Sequence, residues 1–178
     1  MTQSNKQKRE LLPETKFLIL AVSAIVLALI VSLWLIRITY IQGDSMTPTY
    51  QEGDWLVSVP IYYSFNEPER GDVILFERSE LTSGHIIKRV AALPGETVEI
   101  KDGVVYINGE EIEDLHYVHD ENNDFGPLTV GEDSYFVLGD NRHDSRDSRF
   151  WVEPTVNKNE LRGKVVWQFP RSITDLFK

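Results

Sequence analysis

Thr97–Gly109 reads TVEIKDGVVYING: two short strand-like runs, Thr97–Ile100 and Val104–Ile107, hinged on Asp102-Gly103 and stopped at Asn108-Gly109. Asp-Gly and Asn-Gly supply the positive φ angles that tight hairpin turns need. This is the clearest hairpin in the chain, and similar runs flank it. Upstream, His85–Ala92 (HIIKRVAA) ends at Leu93-Pro94-Gly95-Glu96, Val73–Phe76 follows Arg70-Gly71-Asp72, Asp54–Val59 stops at Pro60, and Ile38–Ile41 runs into Gly43. Downstream come Tyr135–Leu138 and Gly163–Phe169, the latter closed by Pro170. Short strands bounded by turn residues, with no internal repeat and no long helical period after residue 41, predict an all-β or mostly β domain. Residues 110–131 are acidic and irregular and read as a surface excursion, so that about 102–134 form a smaller hairpin and excursion subregion. Ile61-Tyr62-Tyr63-Ser64-Phe65 is read as core or cross-strand packing rather than as a membrane-dipping cluster. Arg70-Gly71-Asp72 spells an integrin-type triplet, but it runs straight into an apolar strand and reads as its entry turn.

Ahead of the strands lies Phe17–Ile36, FLILAVSAIVLALIVSLWLI, twenty residues without a charge. At about 1.5 Å per residue they reach roughly 30 Å, the thickness of a hydrocarbon core. Trp34 and Arg37 stand where interface anchors belong. A cleavable leader is the rival reading, but its small residues, Ala21-Val22-Ser23-Ala24, sit inside the apolar run, whereas a cleavage site follows one. The expectation is a retained transmembrane helix over 17–37 in the cell membrane. Residues 1–16 form a basic cytoplasmic tail, and 38–178 form one extracytoplasmic domain.

Residues 41–178 carry 13 basic and 26 acidic side chains, a net charge of -13. A domain this acidic repels phosphate backbones, which excludes nucleic-acid binding. The absence of cysteine rules out a thiol nucleophile, disulfides and thiolate metal sites.

Gly43–Tyr50, GDSMTPTY, is rich in turn residues and by itself reads as a loop. A serine hydroxyl such as that of Ser45 is a poor nucleophile until a base takes its proton. Histidine is the usual base, and there are four. His116 and His119 lie three apart in the acidic excursion without a third ligand, and His143 lies in a polar loop. His85 is three residues from Lys88 along a strand, hence on the opposite face. A solvated or structural role is expected for all four. A lysine serves as base only when neutral, against an ordinary pKa of about 10.4. Lys88 shares its strand face with Ile86 and Val90. Burial lowering its pKa by two to three units corresponds to about 3–4 kcal/mol of differential desolvation. The alternative is a lysine that snorkels from an edge strand. A third polar block, Gly139–Arg149 (GDNRHDSRDSR), is either a solvated loop or a hydrogen-bonded platform that fixes the base. Its Asp/Asn spacing does not match a calcium loop, and neither a metal nor a cofactor is expected.

GDSMTPT, RGDVILF, KRVAALPGE and GDNRHDSRDSR, in this order behind one apolar span, resemble the type I signal peptidases of bacteria. More narrowly, they are similar to the short, single-span form typical of Gram-positive bacteria. The resemblance implies an antiparallel β-sheet catalytic domain of the signal-peptidase type, and a membrane-anchored serine endopeptidase. Such an enzyme removes signal peptides from secreted preproteins after an Ala-x-Ala site, so its partners are preprotein signal peptides and the lipid bilayer. It implies Ser45 as nucleophile, Lys88 as general base, and Ser145 hydrogen-bonded to the Lys88 amine. Asp147 with Arg149, and Asp140 with Arg89, form supporting ion pairs. The Ser45 N–H faces the oxyanion. Many relatives place a second serine donor two residues earlier, where this chain has Gly43. Ile41 and Gly43 ahead of Ser45, with Met46 and Ile87, contribute to the substrate pocket. Phe150-Trp151-Val152-Glu153-Pro154 lacks a glycine common in the family, which implies a different loop shape. Two other classes compete: a non-catalytic anchored β domain that binds peptides, and a self-cleaving regulator. The presence of Ser45, Lys88, Ser145, Asp147 and Arg149 together speaks against the first. The span and the lack of a DNA-binding segment speak against the second.

Overall fold

A computed structural model describes residues 13–81, 84–112 and 124–169. The tail through Leu12, the side chain of Trp34, His116 and His119 lie outside the described residues. The chain divides into two compact units, residues 1–35 and 36–178.

The first unit is one helix, α1 (Pro13–Leu35), apolar on every side. Pro13 suits a first helical position, because its missing N–H would have no partner there, and Glu14 complements the helix N-terminus. The hydroxyls of Ser23 and Ser32 donate back to the carbonyls of Leu20 and Leu29, both at 2.8 Å, so neither is left unsatisfied in an apolar stretch. The expected limits of 17–37 shift at both ends. Helix begins four residues earlier, and Arg37 is already a strand residue whose register partner is Ser58.

The second unit is built of eleven strands: β1 (Arg37–Tyr40), β2 (Trp55–Val59), β3 (Val73–Glu77), β4 (His85–Ala92), β5 (Thr97–Lys101), β6 (Val104–Ile107), β7 (Glu110–Glu111), β8 (Phe125–Thr129), β9 (Ser134–Leu138), β10 (Val156–Asn157) and β11 (Leu161–Gln168). They pair antiparallel throughout, in a seven-stranded sheet of order β1-β2-β11-β3-β4-β9-β10 and a four-stranded sheet of order β7-β6-β5-β8. β3 and β9 are buried on both faces. Ile74 and Phe76 join Tyr135, Val137, Val90, Trp151 and Val156 in one cluster, while Val73 and Leu75 join Ile41, Met46, Leu56, Ile87 and Val165 in another. Phe136 and Leu138 face a third, with Val98, Ile100, Val105 and Ile107 of the small sheet. This explains why VILF and YFVL read as unbroken apolar runs rather than alternating ones.

One sequence expectation is corrected here. Phe125–Thr129 is not irregular: it is the edge strand β8, paired with β5. Gly126 and Pro127 hide the strand signal, yet both fit an edge. Gly126 has φ +88 and packs so tightly that an added Cβ would lie 2.6 Å from the Val98 carbonyl oxygen, and a proline on an edge need not donate to the ladder. The aromatic run packs into the core, as expected, from a 3-10 turn at Tyr62–Ser64 rather than by cross-strand pairing. Tyr63 is buried and donates to Asp72 at 3.1 Å, whereas Phe65 is 81% exposed. Asp72 also pairs with Lys164 at 2.6 Å, and Arg70 with Glu96 at 2.5 Å, so both charges of the Arg-Gly-Asp triplet are spent inside the fold.

The Phe150–Pro154 loop is shaped by Arg78, only 8% exposed. Its guanidinium binds Glu160 at 2.9 Å, donates to the carbonyls of Glu153 (3.0 Å) and Thr155, and stacks 4.7 Å over Trp151. Arg78→Ala strands a carboxylate and two carbonyls. Urea denaturation is expected to show a loss of about 2–4 kcal/mol.

Candidate active site

Three segments far apart in sequence converge on Ser45. The first is its own turn. Ile41 continues the β1–β2 ladder, donating to Asp54 at 2.9 Å and accepting from Gly53 at 3.0 Å. Gly43 then turns the chain with φ +87; open space surrounds it, so backbone conformation rather than crowding favours glycine. A serine there would adopt that angle only with strain. Past Ser45, Thr47 donates to Asp44 (3.0 Å) and Tyr50 to Met46 (2.9 Å), closing a tight turn. Met46, 1% exposed, plugs this turn into the cluster of Leu56, Leu75 and Ile87.

The second segment is β4. Lys88 is 4% exposed, and its Nζ lies 2.7 Å from Ser45 Oγ while donating to the Ile87 carbonyl at 3.0 Å. Burial drives its pKa from 10.5 down to about 8, with the carboxylates of Asp147 and Asp140 opposing the drop. Those carboxylates are themselves neutralised. Asp147 receives Arg149 at 2.8 and 3.0 Å, and Asp140 receives Arg89 at 2.8 and 2.6 Å. Both are two-pronged pairs, which weakens their hold on a charged amine nearby.

The third segment is Gly139–Arg149, a platform rather than a solvated loop. Asp147 accepts from Gly139 N (2.9 Å), Arg142 donates to the Gly139 carbonyl (2.9 Å), and Arg149 to the Arg142 carbonyl (2.7 Å). Asn141 ties it to the serine turn, donating from its backbone to the Ser45 carbonyl (3.1 Å) and from its side chain to that of Asp44 (3.2 Å). Thr49 of the same turn donates to Asp140 at 2.6 Å, so one carboxylate links all three segments.

Ser145 departs from the expected arrangement. Its Oγ is buried and makes no hydrogen bond, and the partners of Lys88 are Ser45 and the Ile87 carbonyl instead. Ser145 packs against Gly139, where an added Cβ would stand 2.1 Å from its Oγ and 2.5 Å from the Ser45 carbonyl oxygen. Asn141, Thr49 and Gly139 are contributors that sequence reading passed over, because each acts through backbone or platform contacts with no chemical signature of its own.

Beside Ser45 lies a cleft of about 460 Å³, lined on one side by Thr39–Gly43 and Met46 and on the other by Gly84–Lys88. Ile41, Gly43, Met46 and Ile87, the expected pocket residues, all border it. His85 borders it too, and its Nε2 faces Arg37 Nη1 and Glu77 Oε1 rather than Ser45. Along β4 the partner strand β9 covers only Arg89–Ala92. His85–Lys88 therefore present a free strand edge to the cleft among the described residues.

The profile of the family described as "Signal peptidase, peptidase S26" matches residues 14–169. The chain is 32% identical to a probable signal peptidase I-2 of Synechocystis, over 96% of this chain and 83% of that one. It is 39% identical to a signal peptidase I of Leptolyngbya laminosa (82% and 74% covered), and 37% identical to signal peptidase I P of Bacillus subtilis subsp. natto (81% of each). A crystal structure of a signal peptidase I from Enterococcus faecalis is 36% identical, with a TM-score of 0.48, covering 57% of this chain and 98% of that one. This chain belongs to the signal peptidase family, peptidase S26.

Proposed function

We propose that the chain is a membrane-anchored endopeptidase that cuts signal peptides from preproteins after an Ala-x-Ala site, with Ser45 as nucleophile and neutral Lys88 as general base. The observation that carries this is the 2.7 Å separation of Nζ and Oγ around a buried amine. In that setting the uncharged amine takes the serine proton as Oγ attacks the scissile carbonyl, then returns it to the leaving amine. The Ser45 N–H donates to the developing oxyanion. Ser145, whose hydroxyl is unengaged, is the group able to receive a hydrogen bond from the amine once Lys88 is protonated.

A substrate in extended form adds as a strand along the free edge at His85–Lys88, which fixes its register by main-chain hydrogen bonds. Ile41, Met46 and Ile87 leave room for small side chains at the cut. Helix α1, apolar all round and about 35 Å long at 1.5 Å per residue, matches a bilayer span. Anchoring confines enzyme and signal peptide to one plane and raises their effective concentration. The acidic catalytic domain lies on the outer side, and the basic tail stays in the cytoplasm.

The test is cleavage of a purified preprotein by the full-length protein, with the new N-terminus sequenced and the pH profile recorded. With Lys88 near 8, roughly a tenth of the enzyme is neutral at pH 7, so kcat/KM should rise about tenfold per pH unit below 8 and level off above it. A midpoint near 6.5 that disappears in His85→Ala would place the base on histidine and overturn the assignment.

A further inference from the structure

His85 and Arg37 begin the two strands, β4 and β1, whose later residues wall the cleft beside Ser45. Arg37 Nη1 lies 2.5 Å from His85 Nε2, so a side-chain bridge crosses from one wall to the other at this end. Glu77, the cross-strand neighbour of His85, places Oε1 2.9 Å from the same nitrogen, and its other oxygen is taken by Arg162 at 2.9 Å. Glu77 is thus paired directly with Arg162, while Arg37 meets only the imidazole nitrogen, and of these three side chains two are cationic and one is anionic. The domain around it carries 13 basic against 26 acidic residues, so a local excess of positive charge runs against the background.

The distance to the chemistry follows from strand geometry. His85 precedes Lys88 by three residues, about 10 Å at 3.3 Å per residue. A peptide lying along the free edge of β4 advances at the same rate. If the residue before the cut sits by Ser45 and Lys88, the side chain near the bridge belongs to about the fourth residue before the cut. The cleft runs from Ser45 and Lys88 to His85, so a peptide whose residues before the cut fill it puts that side chain on the upstream side.

We propose that Arg37, oriented by His85, is a specificity-determining residue that meets the fourth residue before the cut and selects against lysine or arginine there, favouring neutral or acidic side chains. This rests on the Ser45/Lys88 reading above. A unit charge about 6–8 Å from a guanidinium near the surface is expected to alter kcat/KM about fivefold to tenfold, less at high salt.

The experiment is a competition between preproteins that differ only at that position, carrying alanine, glutamate or lysine, cleaved by the full-length protein. The wild type should disfavour lysine against alanine about fivefold to tenfold, and the gap should narrow as salt rises. Arg37→Gln should bring the ratio to within about twofold of one, and Arg37→Glu should invert it. The ratio is internal to each reaction, so a reduced folded fraction does not disturb it. A lysine-to-alanine ratio that is the same in wild type, Arg37→Gln and Arg37→Glu overturns the proposal while leaving the catalytic reading intact. If the wild type cleaves none of the three, the catalytic reading fails first and this assignment falls with it.

Discussion

On the proposed Ser45/Lys88 mechanism, replacing Lys88 with methionine should cut cleavage about 10²–10⁴-fold, the usual contribution of a general base, and at the same time stabilise the folded domain at neutral pH. The two effects have one cause. The amine is buried beside Ser45 with its pKa near 8, against 10.5 for an unburied lysine. Between those values the unfolded chain binds more protons than the folded one, so wild-type stability rises with pH across that window. Below about pH 8 the full penalty applies, about 3 kcal/mol at 1.36 kcal/mol per unit. Methionine fills a similar volume and carries no charge, but it forfeits the hydrogen bonds to Ser45 and the Ile87 carbonyl. A net gain of about 2 kcal/mol at pH 7 is expected, shrinking between pH 8 and 10.5. Urea denaturation of both proteins across that range measures it. An inactive variant that is no more stable than wild type at pH 7 would mean that the lysine is not held in a desolvated site.

Gly139→Ala should be nearly as damaging to activity, about 10²-fold, though residue 139 carries no reacting group. Its Cβ would stand 2.5 Å from the Ser45 carbonyl oxygen and 2.1 Å from Ser145 Oγ. Rotating the hydroxyl leaves Ser145 Cβ at 2.5 Å, and the carbonyl belongs to the backbone that presents Ser45 and is already pinned by the Asn141 N–H. Displacement of the serine turn by a fraction of an ångström to one ångström lengthens the Ser45–Lys88 contact, and losses near 10²-fold accompany such shifts. A stability loss of about 1–3 kcal/mol is expected alongside. Gly131→Ala is the control, since its nearest contact would be an ordinary 3.9 Å. Equal activity in the two variants would show that the serine turn tolerates what the packing forbids.

The parts of this structure that were legible in advance are those written in local chemistry. Asp102-Gly103 and Asn108-Gly109 each adopt positive φ, and the runs they bound pair as β5 and β6. The apolar run is helical. Misreadings occurred where neighbours overrule local preference. Phe125–Thr129 is a strand because β5 offers it a ladder, and Arg37 leaves the helix because β2 does the same. The resemblance pairs Ser145 with the lysine amine, whereas its hydroxyl here has no hydrogen-bond partner and packs against Gly139, a close approach that no spacing in the chain announces. Arg78 was invisible for the same reason: its four partners come from residues 151–160, far along the chain.

What the order of residues determined alone is an uncharged helix, a series of short strands with their turns, an acidic domain without thiols, and four motifs shared with one family. Only the tertiary structure decided that Lys88 is dry, that it meets a hydroxyl 43 positions away, and that two arginines neutralise the carboxylates around it. Desolvation and charge pairing depend on what packs around a group. Those neighbours come from β4, the serine turn and the Gly139–Arg149 platform, which meet only when the sheet is assembled.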